Sequence, residues 1–154
     1  MRQQANGTPA NGNRRPLALL AEDDAAMREL IARQLRRHNY EVVEARDGRE
    51  TLERLAYGLL RDPQLWFDVV ISDVRMPGYD GLNILASIKG LNRYVPVILI
   101  TAFGTSATHA AAKKLDVYAM LDKPFDLDDL MTVVRTATLH AHQRRQRLGA
   151  NGEV

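Results

Sequence analysis

The chain has 154 residues, of which 45% are hydrophobic and 26% charged, and it contains no Cys. That composition excludes a wholly disordered or fibrous chain, a disulfide framework, thiol catalysis and Cys-ligated zinc, and its length favours one domain. The formal net charge is +2, yet residues 17–139 hold 18 acids against 15 bases, so the positive balance sits in the two ends.

Residues 1–15 are rich in Asn, Gln and Gly and are expected to form a disordered N-terminal lead. Arg14-Arg15 precede an apolar stretch, but it stops at Glu22, short of the roughly 7–15 residues of a signal core. No apolar run approaches the roughly 20 residues of a membrane span. A cytoplasmic protein without membrane contact is therefore expected.

Leu17–Ala21 reads as a short strand ending in acids. Met27, Leu30, Ile31 and Leu35 recur at helical spacing between Ala25 and His38. Tyr40–Ala45 follows as a strand and Asp47-Gly48 as a turn; Leu52, Leu55, Ala56, Leu59 and Leu60 mark a helix stopped by Asp62-Pro63. Phe67–Ser72 is a buried-type strand, and Asp80 is a plausible N-cap for a helix through Lys89. Val95–Ile100, an Ala-rich helix over about 105–115, Val117–Leu121 and a helix carrying Leu127, Leu130, Met131 and Val134 complete the series. Five strand–helix units in alternation predict an α/β parallel sheet covered on both faces.

In such sheets ligands bind beyond the carboxyl ends of the strands. Strand 1 ends in Glu22-Asp23-Asp24, strand 3 in Asp73, strand 4 in Thr101, and strand 5 runs into Lys123. Two like charges about 5 Å apart cost roughly 3 kcal/mol at an effective dielectric near 20, so the cluster calls for a cation. Carboxylate oxygens without His or Cys favour Mg²⁺. Mg²⁺ beside an Asp and a Lys is equipment for phosphoryl transfer, with a carboxylate as nucleophile. Taken singly, each residue also reads as a cap, a turn or a solvated charge.

The segments Leu19–Asp24 with Arg28, Asp68–Gly81, Pro96–Ala102 and Lys123-Pro124-Phe125 together resemble the receiver domain of two-component response regulators, over roughly residues 16–139. The resemblance implies a flavodoxin-like (βα)5 doubly wound sheet with strand order 2-1-3-4-5. A chemotaxis member of this family is itself a standard example of that order, so the order is taken over from it. The resemblance also implies that Asp73 is the phosphoacceptor, served by a histidine kinase, a phosphotransfer protein or a small donor such as acetyl phosphate. It places Mg²⁺ on Asp23, Asp73 and the backbone carbonyl of Arg75, with Glu22 acting through a metal-bound water. Thr101 matches the switch hydroxyl and Lys123 the acyl-phosphate partner, with Lys123-Pro124 cis. A downstream protein target or fused output domain is implied, reached through helix 4, strand 5 and helix 5, and a receiver homodimer is possible.

Two departures stand out. Met120 occupies the position where the family has an aromatic rotamer switch; Met is flexible enough to move in and out. Tyr118 is expected on the same face as Met120 but further from the switch pocket. The segment Tyr57–Trp66 is longer than usual, with Trp66 either at the sheet's foot or in a partner surface. His140-x-His142 reads as a solvated helix end, and residues 140–154 as a basic helix extension and tail whose arginines fray rather than bind phosphate-rich partners; nucleic acid is not expected.

Three functions compete. A phosphorylatable receiver, with no turnover of an external substrate, accounts for the whole acidic set. A phosphorylation-independent adaptor is motivated by Met120 and the Tyr57–Trp66 segment. A hydrolase with an Asp nucleophile lacks the second Asp, since Arg75 stands two residues after Asp73. The residues beyond Leu139 suit either a stand-alone receiver or part of a longer regulator.

Overall fold

The computed structural model describes residues 14–61, 66–91 and 93–151. Expectations for the lead before Arg14, for Asp62–Leu65 and for residues 152–154 lie outside them. Strands β1 (Leu17–Ala21), β2 (Glu41–Ala45), β3 (Val69–Asp73), β4 (Val97–Thr101) and β5 (Ala119–Asp122) alternate with helices α1 (Ala25–Arg37), α2 (Gly48–Arg61), α3 (Gly81–Lys89), α4 (Ser106–Lys114) and α5 (Leu127–Asn151). All strand pairs are parallel and the order is β2-β1-β3-β4-β5, the flavodoxin-like arrangement.

Alternation along each strand sorts the core into two halves. Leu19, Val70 and Leu99 pack with Leu55 of α2, Leu85 and Ile88 of α3 and Ala112 of α4. Leu20, Ile71, Ile98 and Ile100 pack on the other face with Ile31 and Leu35 of α1 and Leu130, Met131 and Val134 of α5. The strands are short and buried on both faces, which is why they read as near-continuous apolar runs. Each fully buried Leu or Ile contributes about 1.5–3 kcal/mol.

Helix starts follow local chemistry. Asp24 caps α1 by accepting from Met27 N at 2.9 Å, and Thr105 caps α4 by accepting from Thr108 N at 3.1 Å. Asp80 and Asn83 form a reciprocal capping box on α3. Strand bounds differ from the sequence reading in a systematic way: β3, β4 and β5 start two residues later and end one later. Phe67, Val95 and Val117 are apolar because they pack beneath the sheet, not because they pair in it. Asp73, Thr101 and Asp122 are polar yet still in the ladder.

α5 is one continuous helix to Asn151, so the extension expected after Leu139 is helical; the departure is that it does not fray. Ala137 and Ala141 are fully buried on its inner face, and Arg145 is anchored at the foot of the sheet rather than frayed. Trp66 is 3% exposed, edge-on to Phe67 at 6.0 Å and beneath the Arg93 guanidinium at 5.4 Å. It packs at the sheet's foot.

Candidate functional site

Parallel pairing brings the carboxyl ends of β1, β3, β4 and β5 to one edge, and the chemistry-bearing residues sit there. Glu22 directly follows β1; its backbone N–H donates to the Ala45 carbonyl at 3.1 Å, and its carbonyl accepts from Arg28 Nη1 at 2.9 Å. Asp73 closes β3, with Val74 N donating to the Ile100 carbonyl at 2.8 Å. Lys123 N donates to the Thr101 carbonyl at 2.7 Å, which ties the end of β5 to β4. The Lys123-Pro124 peptide is cis.

The Lys123 ammonium joins two carboxylates at once, 2.6 Å from Asp73 Oδ2 and 2.8 Å from Glu22 Oε1. Asp73 Oδ1 accepts from the Arg75 backbone N–H at 3.0 Å, so the peptide at Arg75 lies beside the cluster. Donor oxygens of Glu22, Asp23 and Asp73 all lie within 4.8 Å of one another. Glu22 is 2% exposed and Asp73 7%, whereas Asp23 is open to solvent. Asp24, the third acid of the run, is the α1 cap and is not part of this group.

Burial pushes the Glu22 carboxyl up to about 8, and the neighbouring Asp73 carboxylate adds to the rise against the opposing effect of Lys123. For Lys123 burial lowers the ammonium, but the bonds to Asp73 and Glu22 outweigh it and the net shift is upward. Glu22 Oε2 is buried and has no hydrogen-bond partner among the described residues. A small cluster of hard carboxylate oxygens, one of them orphaned, fits a divalent cation with a preference for oxygen. The residues expected to hold Mg²⁺ thus stand together.

Thr101 is 1% exposed, its hydroxyl accepting from Phe103 N at 3.3 Å. Met120 is half-buried and pairs in register with Leu99, two residues before Thr101, so both lie on the α2–α4 face. Tyr118 does not share that face. It packs among α1 and α5 residues with its hydroxyl 2.9 Å from His140 Nδ1. The reason is that Tyr118 precedes β5, so strand alternation does not govern it. His140 is exposed, as expected, but it lies within α5 rather than at its end and is the hydrogen-bond partner of Tyr118.

Sequence reading missed the backbone supports of the site. A Cβ on Gly48 would lie 1.8 Å from the Tyr79 carbonyl oxygen, and one on Gly81 would lie 2.6 Å from that of Asp73. Both positions let a helix start press against the loop after β3. Asp47-Gly48 reads as an ordinary turn, and nothing local signals the long-range approach. Arg75 stands over the Phe103 ring, guanidinium 5.6 Å from the ring centre.

With this geometry the chain compares closely with known proteins. The family model "Response regulator receiver domain" matches residues 18–135. The transcriptional regulatory protein ZraR of Escherichia coli strain K12 is 34% identical over 124 residues, 80% of this chain and 26% of that protein. The transcriptional regulatory protein PdtaR of Mycobacterium tuberculosis is 37% identical over 120 residues, 77% of this chain and 55% of that protein. The chain thus spans about a quarter to a half of the length of these curated relatives. Among solved structures, the signal receiver domain of an HD domain-containing protein from Pseudomonas fluorescens Pf-5 aligns with a TM-score of 0.74 at 30% identity, over 84% of this chain and 99% of that one. A CheY-like receiver from Methanospirillum hungatei JF-1 aligns with a TM-score of 0.76 at 18% identity, over 85% and 99%, a likeness of fold.

Proposed function

The chain belongs to the response regulator receiver domain family, and from that premise we propose that Asp73 accepts a phosphoryl group from a histidine kinase, a phosphotransfer protein or a small donor such as acetyl phosphate. One observation carries this reading: Lys123 bridges Asp73 and Glu22 at 2.6 and 2.8 Å, so the acceptor, its cationic partner and the acidic cluster form a single unit. Phosphoryl transfer needs little covalent chemistry from the protein; positioning and charge compensation dominate.

Asp73 supplies the nucleophile. One carboxylate oxygen attacks phosphorus in line, an O–P bond forms, and the P–N bond to the donor histidine, or the P–O bond to acetate, breaks. The Arg75 N–H and Lys123 hold the Asp73 carboxylate in place beforehand, so little reorganisation is needed. Glu22, Asp23, Asp73 and the Arg75 carbonyl would hold Mg²⁺, which supplies positive charge against the phosphoryl oxygens. Once the acyl phosphate forms, Lys123 turns from carboxylate partner to phosphoryl partner, and the Thr101 hydroxyl moves to donate to the same group. Met120, on the face of Thr101, follows that movement. The outcome is a changed α4–β5–α5 surface, read by a downstream protein target, a fused output domain or a second receiver, in a cytoplasmic setting. No helix among the described residues is long and apolar enough to cross a membrane. The domain is a phosphoacceptor over residues 16–139 and turns over no external substrate.

Incubation with acetyl phosphate and Mg²⁺ is expected to add about 80 Da, the mass of one phosphoryl group, in an acid-stable, hydroxylamine-labile form. Asp73→Asn should abolish it. No adduct on the unaltered protein, or one that persists in Asp73→Asn, rejects the assignment. Half-buried Met120 in the aromatic-switch position favours a second reading, a phosphorylation-independent adaptor. Beryllofluoride that leaves the backbone shifts of Thr101 and Met120 unmoved would support it.

A further inference from the structure

The buried carboxylate of Asp68 organises the edge of the sheet opposite the acidic cluster. It is 5% exposed and accepts from Leu17 N at 2.7 Å and from Arg145 Nη1 at 2.5 Å, with Arg14 Nη2 at 3.6 Å. Arg145 Nη2 also donates to the Phe67 carbonyl at 2.9 Å. These bonds fix the last turns of α5 across the foot of the sheet, where Arg144 stands 4.3 Å above the Tyr94 ring. Arg147, three residues on, is its neighbour on the same helix face.

The other side of Asp68 extends the same charge. Arg14 leads into Arg15, which lines a groove beside β2 together with Arg36 at the end of α1, and Arg37 adjoins it. Among the described residues Arg15, Arg37, Arg144 and Arg147 are exposed and make no ion pair. Among the described residues most acids near this edge are paired: Asp68 is buried against Arg145, Asp116 is paired with Lys89 at 3.6 Å, Glu44 with Arg28 and Arg36, and Glu29 with Arg33, leaving Glu41.

We propose that this edge binds the sugar–phosphate backbone of double-stranded nucleic acid, without reading its sequence. Guanidinium forks match phosphate oxygens in pairs, and here Arg15 leads into β1, Arg37 closes α1, and Arg144 and Arg147 stand on the last turns of α5. On the last two turns of α5 the one large apolar side chain exposed is Leu148, at 62%. The α5 part of the edge thus lacks the apolar face of a membrane-lying helix, and the groove beside β2 sets Leu17, Tyr40, Val42 and Val43 beside Arg15 and Arg36.

Fluorescence anisotropy with a labelled DNA duplex of about 20 base pairs tests the proposal on the full chain. Four phosphate contacts predict a salt slope near −3.6, or ~10²-fold weaker binding between 50 and 200 mM NaCl. Combined Arg37→Glu, Arg144→Glu and Arg147→Glu should weaken binding at least tenfold while leaving acetyl-phosphate labelling of Asp73 unchanged. The neutral set Arg37→Gln, Arg144→Gln and Arg147→Gln, gentler on the fold, should fall between the two. Absence of binding at low salt overturns the proposal, as does full affinity in the neutral set. Tighter binding to phosphatidylglycerol vesicles, or equal competition by polyglutamate at matched charge, assigns the edge to another class of partner and overturns it as well.

Discussion

Glu22 shows how one side chain couples metal, proton and stability. Folded Glu22 keeps its proton up to about 8, whereas the unfolded chain releases it near the ordinary 4.5. Between those values the folded state holds more protons, so the metal-free domain loses stability as pH rises through this window. Mg²⁺ held at the proposed site would favour the ionised carboxylate and displace that proton. Its affinity is therefore expected to rise with pH, by up to about tenfold per unit, and to level off above about 8. Calorimetric titration in two buffers of different ionisation enthalpy measures the released proton. Glu22→Gln should bind Mg²⁺ more weakly and lose the pH dependence; an affinity flat in pH for the unaltered protein contradicts the linkage.

At the scale of elements, support comes from contacts distant in sequence. Gly48 opens α2, and its missing side chain leaves room for the Tyr79 carbonyl in the loop after Asp73. Gly48→Ala is expected to cost about 1–3 kcal/mol in urea unfolding, because the clash is with backbone that must shift. It should also slow Asp73 labelling by displacing the Arg75 peptide. Asp68 plays the matching part at the other end of β3. Asp68→Ala leaves Leu17 N–H and Arg145 without their acceptor and should cost about 2–4 kcal/mol. Hydrogen exchange over the last turns of α5 should accelerate with it. Arg145→Ala should cost about 1 kcal/mol, since that side chain is a third exposed. Unchanged exchange in both variants would show that the helix end stays in place without the ion pair.

Among the described residues Glu22, Asp23 and Asp73 gather beyond the strands' carboxyl ends, and Arg15, Arg37, Arg144 and Arg147 are exposed without an ion pair towards the foot. Mg²⁺ held at the acidic end would bind the folded site and not the unfolded chain, so on the proposed metal assignment millimolar Mg²⁺ is expected to raise the melting temperature. Chelation should reverse the rise, and Asp23→Asn should reduce it. A melting curve indifferent to Mg²⁺ would falsify the metal assignment.

Much of this is legible in the sequence, for a local reason. Apolar runs about five residues long, helical spacing and cap residues such as Asp80 report what each segment buries, and parallel strands then force Glu22, Asp73, Thr101 and Lys123 to one edge. The bonds that make them a unit, with Lys123 between two carboxylates and Glu22 Oε2 stranded in the interior, depend on distances no spacing encodes. Tyr118 escapes the pattern because strand alternation does not reach back past the true start of β5. The basic C-terminal segment holds its place for a reason arginine patterns alone cannot reveal, a buried acceptor 77 residues earlier in the chain. Sequence by itself thus determined the elements, their order along the chain and which side chains stand at the strand ends, since those follow from local burial and parallel pairing. Only the tertiary structure decided which charges are paired and which are left to solvent, because pairing depends on where two distant segments meet.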